Sequence, residues 1–314
     1  MIPQHDTERE PHEPPARFVV RYWGVRGSVP TPGPSTVRYG GNTTCLELLC
    51  DDQRIIIDAG TGIRSLGAAL RRDVTPRGHA AALLFSHFHA DHVMGLPFFG
   101  PLYDPRTRLT VHADADAADA GLAGLRRVLS APLFPVDYDT LPAQLTLAPI
   151  APGEPFTVGP VTVRTCRLRH PGSALAFRFE HRGRAFVHAS DLEHEGPAAD
   201  PALVALCSGA DALSYDAMFV EGPEYDGHRG WGHSTWQAGL RLAAEAHVAR
   251  FVATHHAPEH DDAFMDDLAH DLATAWPGAL VAAEGLELDL LSGEVRHTAP
   301  IAARGSTQDS RTTP

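Results

Sequence analysis

The chain has 314 residues, of which 43% are hydrophobic and 21% charged, a composition typical of a folded globular protein with a sizeable core. Its formal net charge of −13 argues against a broad electrostatic grip on RNA or DNA, because neutralising phosphates requires a surplus of Lys and Arg. The four cysteines lack both C-x-x-C spacing and the density of a secreted disulfide scaffold, and no apolar stretch reaches transmembrane length. We therefore expect reduced thiols and a cytoplasmic protein outside the membrane.

The chain divides into two polar ends and one long folded segment. Residues 1–16 and 302–314 are polar and are predicted to be disordered tails, and the start lacks a signal-peptide pattern. No linker or repeat separates the remaining residues, so 17–301 are predicted to form a single domain.

The predicted elements alternate between strands and helices in chain order. Strands are predicted over 17–25, 45–60 (two strands and a turn), 81–86, 145–150, 155–168, 174–181, 184–190, 212–220, 250–254 and 280–290. Helices are predicted over 62–73, 113–131, 201–210, 234–249 with Ser234 as N-cap, and 261–275. Blocks of strands with helices between them predict an α/β (α+β) protein in which two sheets carry helices on their outer faces.

The most informative segment is SHFHADHV, residues 86–93, which follows the apolar strand 81–86. His87 and His89 are two positions apart, so they project to the same side of an extended backbone. Asp91 and His92 follow where the chain turns, and can be aimed at a second point nearby. Imidazole and carboxylate groups suit zinc, manganese or iron. A histidine-rich surface loop is the alternative, but four metal-binding side chains in H-x-H-x-D-H favour a metal site.

H-x-H-x-D-H after an apolar strand resembles the metallo-β-lactamase superfamily. The resemblance implies a four-layer αββα sandwich that holds two divalent cations, with zinc preferred and manganese or iron as alternatives. It also implies a set of ligands at later strand ends: His87, His89 and His170 on one cation, Asp91, His92 and His255 on the other, and Asp191 between them. His256 stays open as a competitor of His255. Asp58 matches an acid that braces the histidine loop in this family, where Gly60 and Gly62 would let the backbone pass close by.

The segment GWGHSTW, residues 230–236, resembles the phosphodiesterase branch of that superfamily, which includes the tRNA-processing enzyme RNase Z. In that branch a histidine and an upstream acid form a proton relay, which implies His233 and Asp216 here. The branch usually carries Glu, and Asp is one methylene shorter. With Asp91, this pair makes up the expected catalytic residues. The resemblance implies a dinuclear hydrolase that uses a metal-bridging hydroxide on a small or cyclic phosphodiester.

Other readings of the same residues stay open. A lactone or thioester hydrolase of this fold, and a catalytically silent metal-dependent ligand sensor, are the alternatives, and a homodimer is left open. RNase Z grips tRNA with an arm between its third histidine and its bridging aspartate. Here His170 and Asp191 are 21 positions apart and predicted strands fill the interval, so extended nucleic acid is disfavoured as a partner.

Four further side chains carry weaker expectations. Phe98 and Phe99 are expected in the core, since burial is the commoner role of aromatic rings that follow a motif. Arg26 and Arg38 are each expected either to meet a phosphate or to be solvated.

Overall fold

Two β-sheets pack face to face, with helices on both outer surfaces, in the computed structural model. The structure describes residues 16–72, 78–116 and 118–298, so the predicted tails lie outside it apart from Ala16. The strands are β1 (Phe18–Gly24), β2 (Cys45–Cys50), β3 (Gln53–Ile57), β4 (Ala80–Leu84), β5 (Arg108–Asp114), β6 (Gln144–Ile150), β7 (Phe156–Val158), β8 (Val161–Leu168), β9 (Ala174–His181), β10 (Arg184–Ala189), β11 (Ala212–Asp216), β12 (Phe251–Thr254), β13 (Leu280–Val281), β14 (Leu286–Asp289) and β15 (Val295–His297).

The helices lie between these strands along the chain. They are α1 (Ile63–Leu70), α2 (Ala90–Val93), α3 (Ala118–Val128), α4 (Pro201–Cys207), α5 (Pro223–Asp226), α6 (Trp236–Glu245) and α7 (Asp262–Ala275), with 3-10 turns at Leu96–Phe98, Gly100–Tyr103 and Tyr138–Thr140. Among the helices in the described ranges, none is long and apolar enough to cross a bilayer.

Over the described residues, the first sheet has eight strands in the order β15-β14-β1-β2-β3-β4-β5-β6, and the second has seven in the order β13-β12-β11-β10-β9-β8-β7. Apolar side chains of both sheets, including Leu48, Ile55, Phe177 and Phe186, form one core between them. A second core joins α1 and α3 to the first sheet, and a third joins α4, α6 and α7 to the second. The predicted four-layer αββα sandwich is confirmed.

The differences from the predicted elements have local causes. Ser234 is not the N-cap of α6. The hydroxyl of Thr235 caps it by accepting from the backbone N–H of Ala238 at 3.2 Å, because Ser234 is engaged with His194 and Tyr215. The predicted strand 280–290 is two strands in different sheets, separated by a turn at Gly285, whose φ is +86°.

Two strands, β5 and β15, were not predicted from the sequence. Strand β5 takes the first positions of the predicted helix 113–131, because Asp114 still pairs with Ile150 in the first sheet. Strand β15 adds to the edge of that sheet through pairing with β14.

The strand ends explain where a site can form. Strands β3 and β4 run parallel in the first sheet, and β10, β11 and β12 run parallel in the second. Carboxyl ends of parallel strands meet at one edge of a sheet, so side chains that follow them come together. The residues at or just after these ends are Asp58, His87, Asp191, Asp216 and His255.

Gly60 is one position where this edge tolerates no side chain. A Cβ at Gly60 would lie 2.3 Å from the carbonyl oxygen of Asp91 and 2.6 Å from that of Thr44, so the loop after β3 passes close to the histidine loop. A Cβ at Gly62 would likewise lie 2.6 Å from the backbone of Trp23. Both close approaches agree with the sequence prediction.

We expect Gly60→Ala to lower the free energy of unfolding by about 1–3 kcal/mol, the usual cost of overpacking against fixed backbone. Gly33→Ala is the matched control, since a Cβ there would meet no atom within 4 Å and the backbone is not left-handed. Urea unfolding of both variants measures the difference. Equal stability of the two would contradict the close approach at Gly60.

Candidate metal centre

The edge where the strands end carries an unusual backbone. Asp58, Asp191 and His255 each have a φ of about +60°, the left-handed region that costs non-glycine residues free energy. Asp58 and His255 directly follow a strand, and Asp191 follows one after a single residue, so the left-handed turn redirects each side chain toward the space between the two sheets. Such turns persist only where surrounding contacts hold them, and the contacts here are polar.

Three imidazoles form the first group. Ring nitrogens of His87, His89 and His170 all lie within 4.8 Å of one another. The Nε2 atom of His170 is 3.0 Å from Nδ1 of His89. Nδ1 of His170 donates to the carbonyl of Gly232 at 2.8 Å, which fixes the tautomer and leaves Nε2 free to bind a cation.

The second group joins two carboxylates to two imidazoles. Ligand atoms of Asp91, His92, Asp191 and His255 lie within 4.8 Å of one another. Nε2 of His255 is 3.4 Å from Asp91 and 3.3 Å from Asp191. Oδ1 of Asp191 is also 3.9 Å from Nε2 of both His87 and His170, so this carboxylate lies between the two groups.

The charge balance of this space fits divalent cations. Nε2 of His87, His92 and His255 is buried without a hydrogen-bond partner in the described residues, which is costly unless another group binds it. Four buried carboxylates border this space: Asp58, Asp91, Asp191 and Asp216. Within the described part of the chain, their ion-pair partners are all histidines. Negative charge is therefore concentrated where imidazole nitrogens converge, which is the environment that a bound cation stabilises.

The pKa shifts have the same physical origin. Burial alone would lower the pKa of His92, but the carboxylates of Asp191, Asp91 and Asp58 together raise it well above its usual value. The pKa of His255 is raised to about 9 because Asp191 and other carboxylates outweigh the effect of burial. The carboxylates thus favour positive charge at this place. Burial, aided by His92, instead lowers the pKa of His87 well below its usual value.

Asp58 has the bracing contacts predicted for it. Its Oδ2 accepts from Nδ1 of His92 at 2.8 Å and from the hydroxyl of Ser86 at 2.8 Å, and its Oδ1 accepts from the Ser86 backbone N–H. These bonds orient the His92 ring with Nε2 toward the second group. Ser86 itself was not singled out by the sequence patterns.

The other predicted pair is also formed. Nδ1 of His233 donates to Oδ2 of Asp216 at 2.9 Å, and Asp216 is fully buried. The same carboxylate accepts from the backbone N–H groups of Asp191 and Met218. His233 stacks on His255 with ring centroids 5.1 Å apart, so the pair borders the second group. His256 faces the other way, with Nε2 donating to the carbonyl of Ala282 at 2.8 Å.

Residues 53–256 match the family described as the β-lactamase superfamily domain. The chain belongs to the β-lactamase superfamily. It is 25% identical to a ribonuclease Z of Exiguobacterium sp., over 78% of this chain and 93% of that protein.

Solved structures give the same fold. The metallo-β-lactamase fold protein YhfI from Bacillus subtilis superposes with a TM-score of 0.64 at 18% identity, covering 87% of this chain and 99% of its own. A diphosphatase of the PhnP family has a TM-score of 0.64 at 19% identity, covering 87% and 97%. These findings confirm the predicted superfamily and the metallo-β-lactamase fold. With His and Asp groups able to bind metal ions, they make this chain a metal-dependent hydrolase.

Glu193 supports the superfamily site in a way that no sequence pattern revealed. Its two carboxylate oxygens accept from the backbone N–H groups of Gly230 and Gly232, at 2.7 and 3.0 Å. The carbonyl of Gly232 in turn accepts from His170, and a Cβ at Gly232 would lie 2.5 Å from the His170 ring. Glu193 thereby fixes the turn that orients the third histidine. Nothing in the spacing of GWG points to a carboxylate so distant in the chain.

Two expectations for the superfamily member's surface residues were wrong. Phe99 is buried as expected, but Phe98 is 59% exposed and packs edge-on against Phe134, because the 3-10 turn directs these neighbours to opposite sides. Arg26 is fully buried, where it donates to the carbonyls of Gly40, Ala257 and His260.

Arg38 is exposed, in agreement with the second of its two expected roles, and it pairs with Asp266. Neither arginine faces the candidate site, so neither is available to a phosphate there.

We expect chelation of divalent cations to destabilise the protein, since the buried carboxylates lose their counter-charge. The loss is about 4 kcal/mol if free cation stood at about 1,000 times its dissociation constant. Thermal unfolding before and after dialysis against EDTA, then after adding back zinc, manganese or iron, measures it. An unchanged melting temperature with no metal in elemental analysis would contradict the metal centre.

We expect Glu193→Ala to weaken metal binding about 10–100-fold, the usual effect of removing a group that orients a ligand. Glu195→Ala is the control, because Glu195 is exposed and pairs with Arg169. Metal titration of both apo-variants measures the difference. If both bind metal as tightly as the unaltered protein, Glu193 does not position His170.

Proposed function

We propose that the protein is a dinuclear metal-dependent phosphodiesterase that cleaves a small or cyclic phosphodiester. One cation is assigned to His87, His89 and His170, the other to Asp91, His92 and His255, with Asp191 shared by both; zinc is the expected metal. When bound, two such cations supply Lewis acidity and an ionised water. The remaining chemistry comes from the side chains around them.

The observation that carries the proposal is the bond between His233 and Asp216. A phosphodiester releases an alkoxide, which is a poor leaving group unless it receives a proton. Nδ1 of His233 is committed to Asp216, so Nε2 is the atom that can give that proton. Asp216 orients the ring through this bond. Hydrolysis then breaks the phosphorus–oxygen bond of the leaving group, forms one to the water oxygen, and moves a proton from His233 to the leaving oxygen.

The carboxylate of Asp216 reaches His233 although the phosphodiesterase branch usually has the longer Glu at this position. The carboxylate is held by backbone N–H groups of Asp191 and Met218, so it approaches His233 from a fixed position. Its contact with Asp191 also links the relay to the shared carboxylate of the metal centre. This rigid connection supports a role for the pair in the reaction.

The size of the substrate follows from what lies between His170 and Asp191. Strands β9 and β10 and their turn occupy this interval, so an arm of the kind that holds tRNA is not part of this segment. The net charge of −13 also disfavours a long polyanion. The relatedness to ribonuclease Z supports phosphodiester chemistry, while these features support a small substrate. The free cysteines support a reducing, cytoplasmic location.

We expect His233→Ala to lower kcat for a diester with an alkoxide leaving group about 10²–10⁴-fold. The loss should be much smaller for bis-p-nitrophenyl phosphate, because nitrophenolate leaves without a proton. His270→Ala is the control, since His270 is exposed on α7. Steady-state rates with both substrates on the zinc-loaded protein measure the effect. Equal losses on both substrates would contradict the proton-donor role.

Turnover measurements on the unaltered protein distinguish the proposed function from its alternatives. A panel of linear and cyclic phosphodiesters, lactones and thioesters should give turnover only with the phosphodiesters. Lactone or thioester turnover without diesterase activity would favour the ester-hydrolase alternative. Tight nucleotide binding without any product would favour the ligand-sensor alternative.

A further inference from the structure

A cavity of about 270 Å³ lies beside the metal centre, on the side of the first sheet. His87 and His89 form its inner wall, and the Pro171–Gly172 turn after β8 forms one rim. Helix α3 closes the opposite side through Gly121 and Gly124. The cavity therefore shares two side chains with the proposed cation site but extends away from it.

The part of α3 that lines the cavity consists of glycines, which lower the stability of the helix. Gly121 and Gly124 are three positions apart, so they lie on the same face of α3. A Cβ at Gly121 would lie 2.0 Å from the Phe88 ring, whereas one at Gly124 would meet no atom within 4 Å. Glycine inside a helix is less stable than alanine by about 1 kcal/mol. Packing explains Gly121 but not Gly124, where the absent side chain leaves open space in the cavity.

The lining indicates an uncharged, flat occupant. Phe88 is half-buried and packs on Phe85 with ring centroids 5.1 Å apart, which supplies an aromatic wall. Among the described residues that line the cavity there is no arginine, so the phosphate charge finds no partner inside it. Ligand pockets for larger molecules span about 300–1,000 Å³, and this cavity is at the lower limit, which suits one ring system.

One charged acceptor stands at the polar end. Asp114 lines the cavity and is buried, and Arg167 outside it holds the carboxylate with both terminal nitrogens, one of them 3.1 Å from Oδ1. A carboxylate fixed in this way still has lone pairs for a donor on the occupant, and charge-assisted hydrogen bonds are strong. A heterocycle with an N–H group therefore fits the cavity better than a plain aryl ring.

We propose that this cavity is the specificity pocket for the substrate's planar ring, an aryl or nucleobase group on the ester oxygen away from His233. The inference rests on the proposed function. Ring centroids of His89 and His233 lie 4.8 and 5.3 Å from that of His170, so His170 separates the cavity from the proton relay. The relay serves the leaving oxygen on one side, and the pocket holds the ring that stays on the phosphate on the other. Gly124 and Phe88 determine which rings enter.

The test fills the pocket from the helix side. Gly124→Leu places a side chain in the open space, and its melting temperature should not fall, because Leu is a better helix former than Gly. The probes are methyl phosphate, phenyl phosphate and a pyrimidine nucleoside 5′-monophosphate, titrated calorimetrically into the zinc-loaded protein. The unaltered protein should bind both ring-bearing phosphates more tightly than methyl phosphate, and Gly124→Leu should reduce that preference at least about tenfold. Ala123→Leu, exposed on the same helix, is the matched control and should keep the preference.

The outcomes separate the pocket from the proposed function. A preference unchanged within twofold in Gly124→Leu would overturn the pocket, even if diesters are cleaved. A reduced preference would support it, and tighter binding of the nucleotide than of phenyl phosphate would add the donor to Asp114. Lack of diester turnover in the unaltered protein would overturn the proposed function, while the same titrations would still decide where a ring binds. Phe88→Ala gives a second reading, since loss of the aromatic wall should weaken both ring-bearing phosphates.

Discussion

Four buried carboxylates at one edge of the sandwich are the constraint on which this structure depends. Asp58, Asp91, Asp191 and Asp216 lie in or beside a space from which water is largely excluded, and their charge partners over the described residues are imidazoles. Burying a carboxylate without a counter-charge costs several kcal/mol of folding free energy. The folded state is therefore stabilised when positive charge occupies this space. The pKa values of His92 and His255 are raised for the same reason, because the carboxylates favour positive charge nearby. His and Asp groups able to bind metal ions are thus placed where the buried carboxylates need positive charge.

The αββα arrangement explains how so polar a space can exist inside an apolar sandwich. The sheets pack through Leu, Ile, Val and Phe side chains along most of their length, and the buried carboxylates and imidazoles of the candidate site gather at the carboxyl ends of the central strands. Left-handed turns at Asp58, Asp191 and His255 redirect the chain there. The strain of these turns is local, and the apolar core around them supplies the rigidity that keeps ligand atoms within reach of one another.

The sequence contained most of the centre, for a physical reason. His87, His89, Asp91 and His92 fall within six positions, so local backbone geometry alone brings them together. His170, Asp191 and His255 were implied by the resemblance to the metallo-β-lactamase superfamily, whose later ligands follow strands as these three residues do. The choice between His255 and His256 was out of reach, because neighbouring side chains compete on equal terms until the backbone is known. Here His255 has the left-handed φ, while His256 pairs with Arg26 through the backbone and with Ala282 through its ring.

The residues that the sequence patterns missed form contacts that depend on the tertiary structure. Glu193 binds two peptide N–H groups of a remote turn, and Ser86 contributes a hydroxyl beneath the ligands, so neither leaves a residue pattern. Ser234 was misassigned as a cap because its hydroxyl is committed to His194 and Tyr215, a tertiary contact that overrides local propensity. Phe98 and Phe99 are identical in type, and only the turn decides which one is buried.

The arrangement around His170 connects these observations. This ring is held by Gly232, whose turn is held by Glu193, and it separates the proton relay from the cavity behind His89. A diester has two oxygen substituents with different fates, since one departs with a proton and the other stays on phosphorus. A protein that distinguishes the two substituents needs two different groups of residues around the phosphate. One group donates a proton to the leaving oxygen, and the other binds a ring. We propose that the buried pair His233–Asp216 and the glycine wall of α3 are these two groups, with His170 between them.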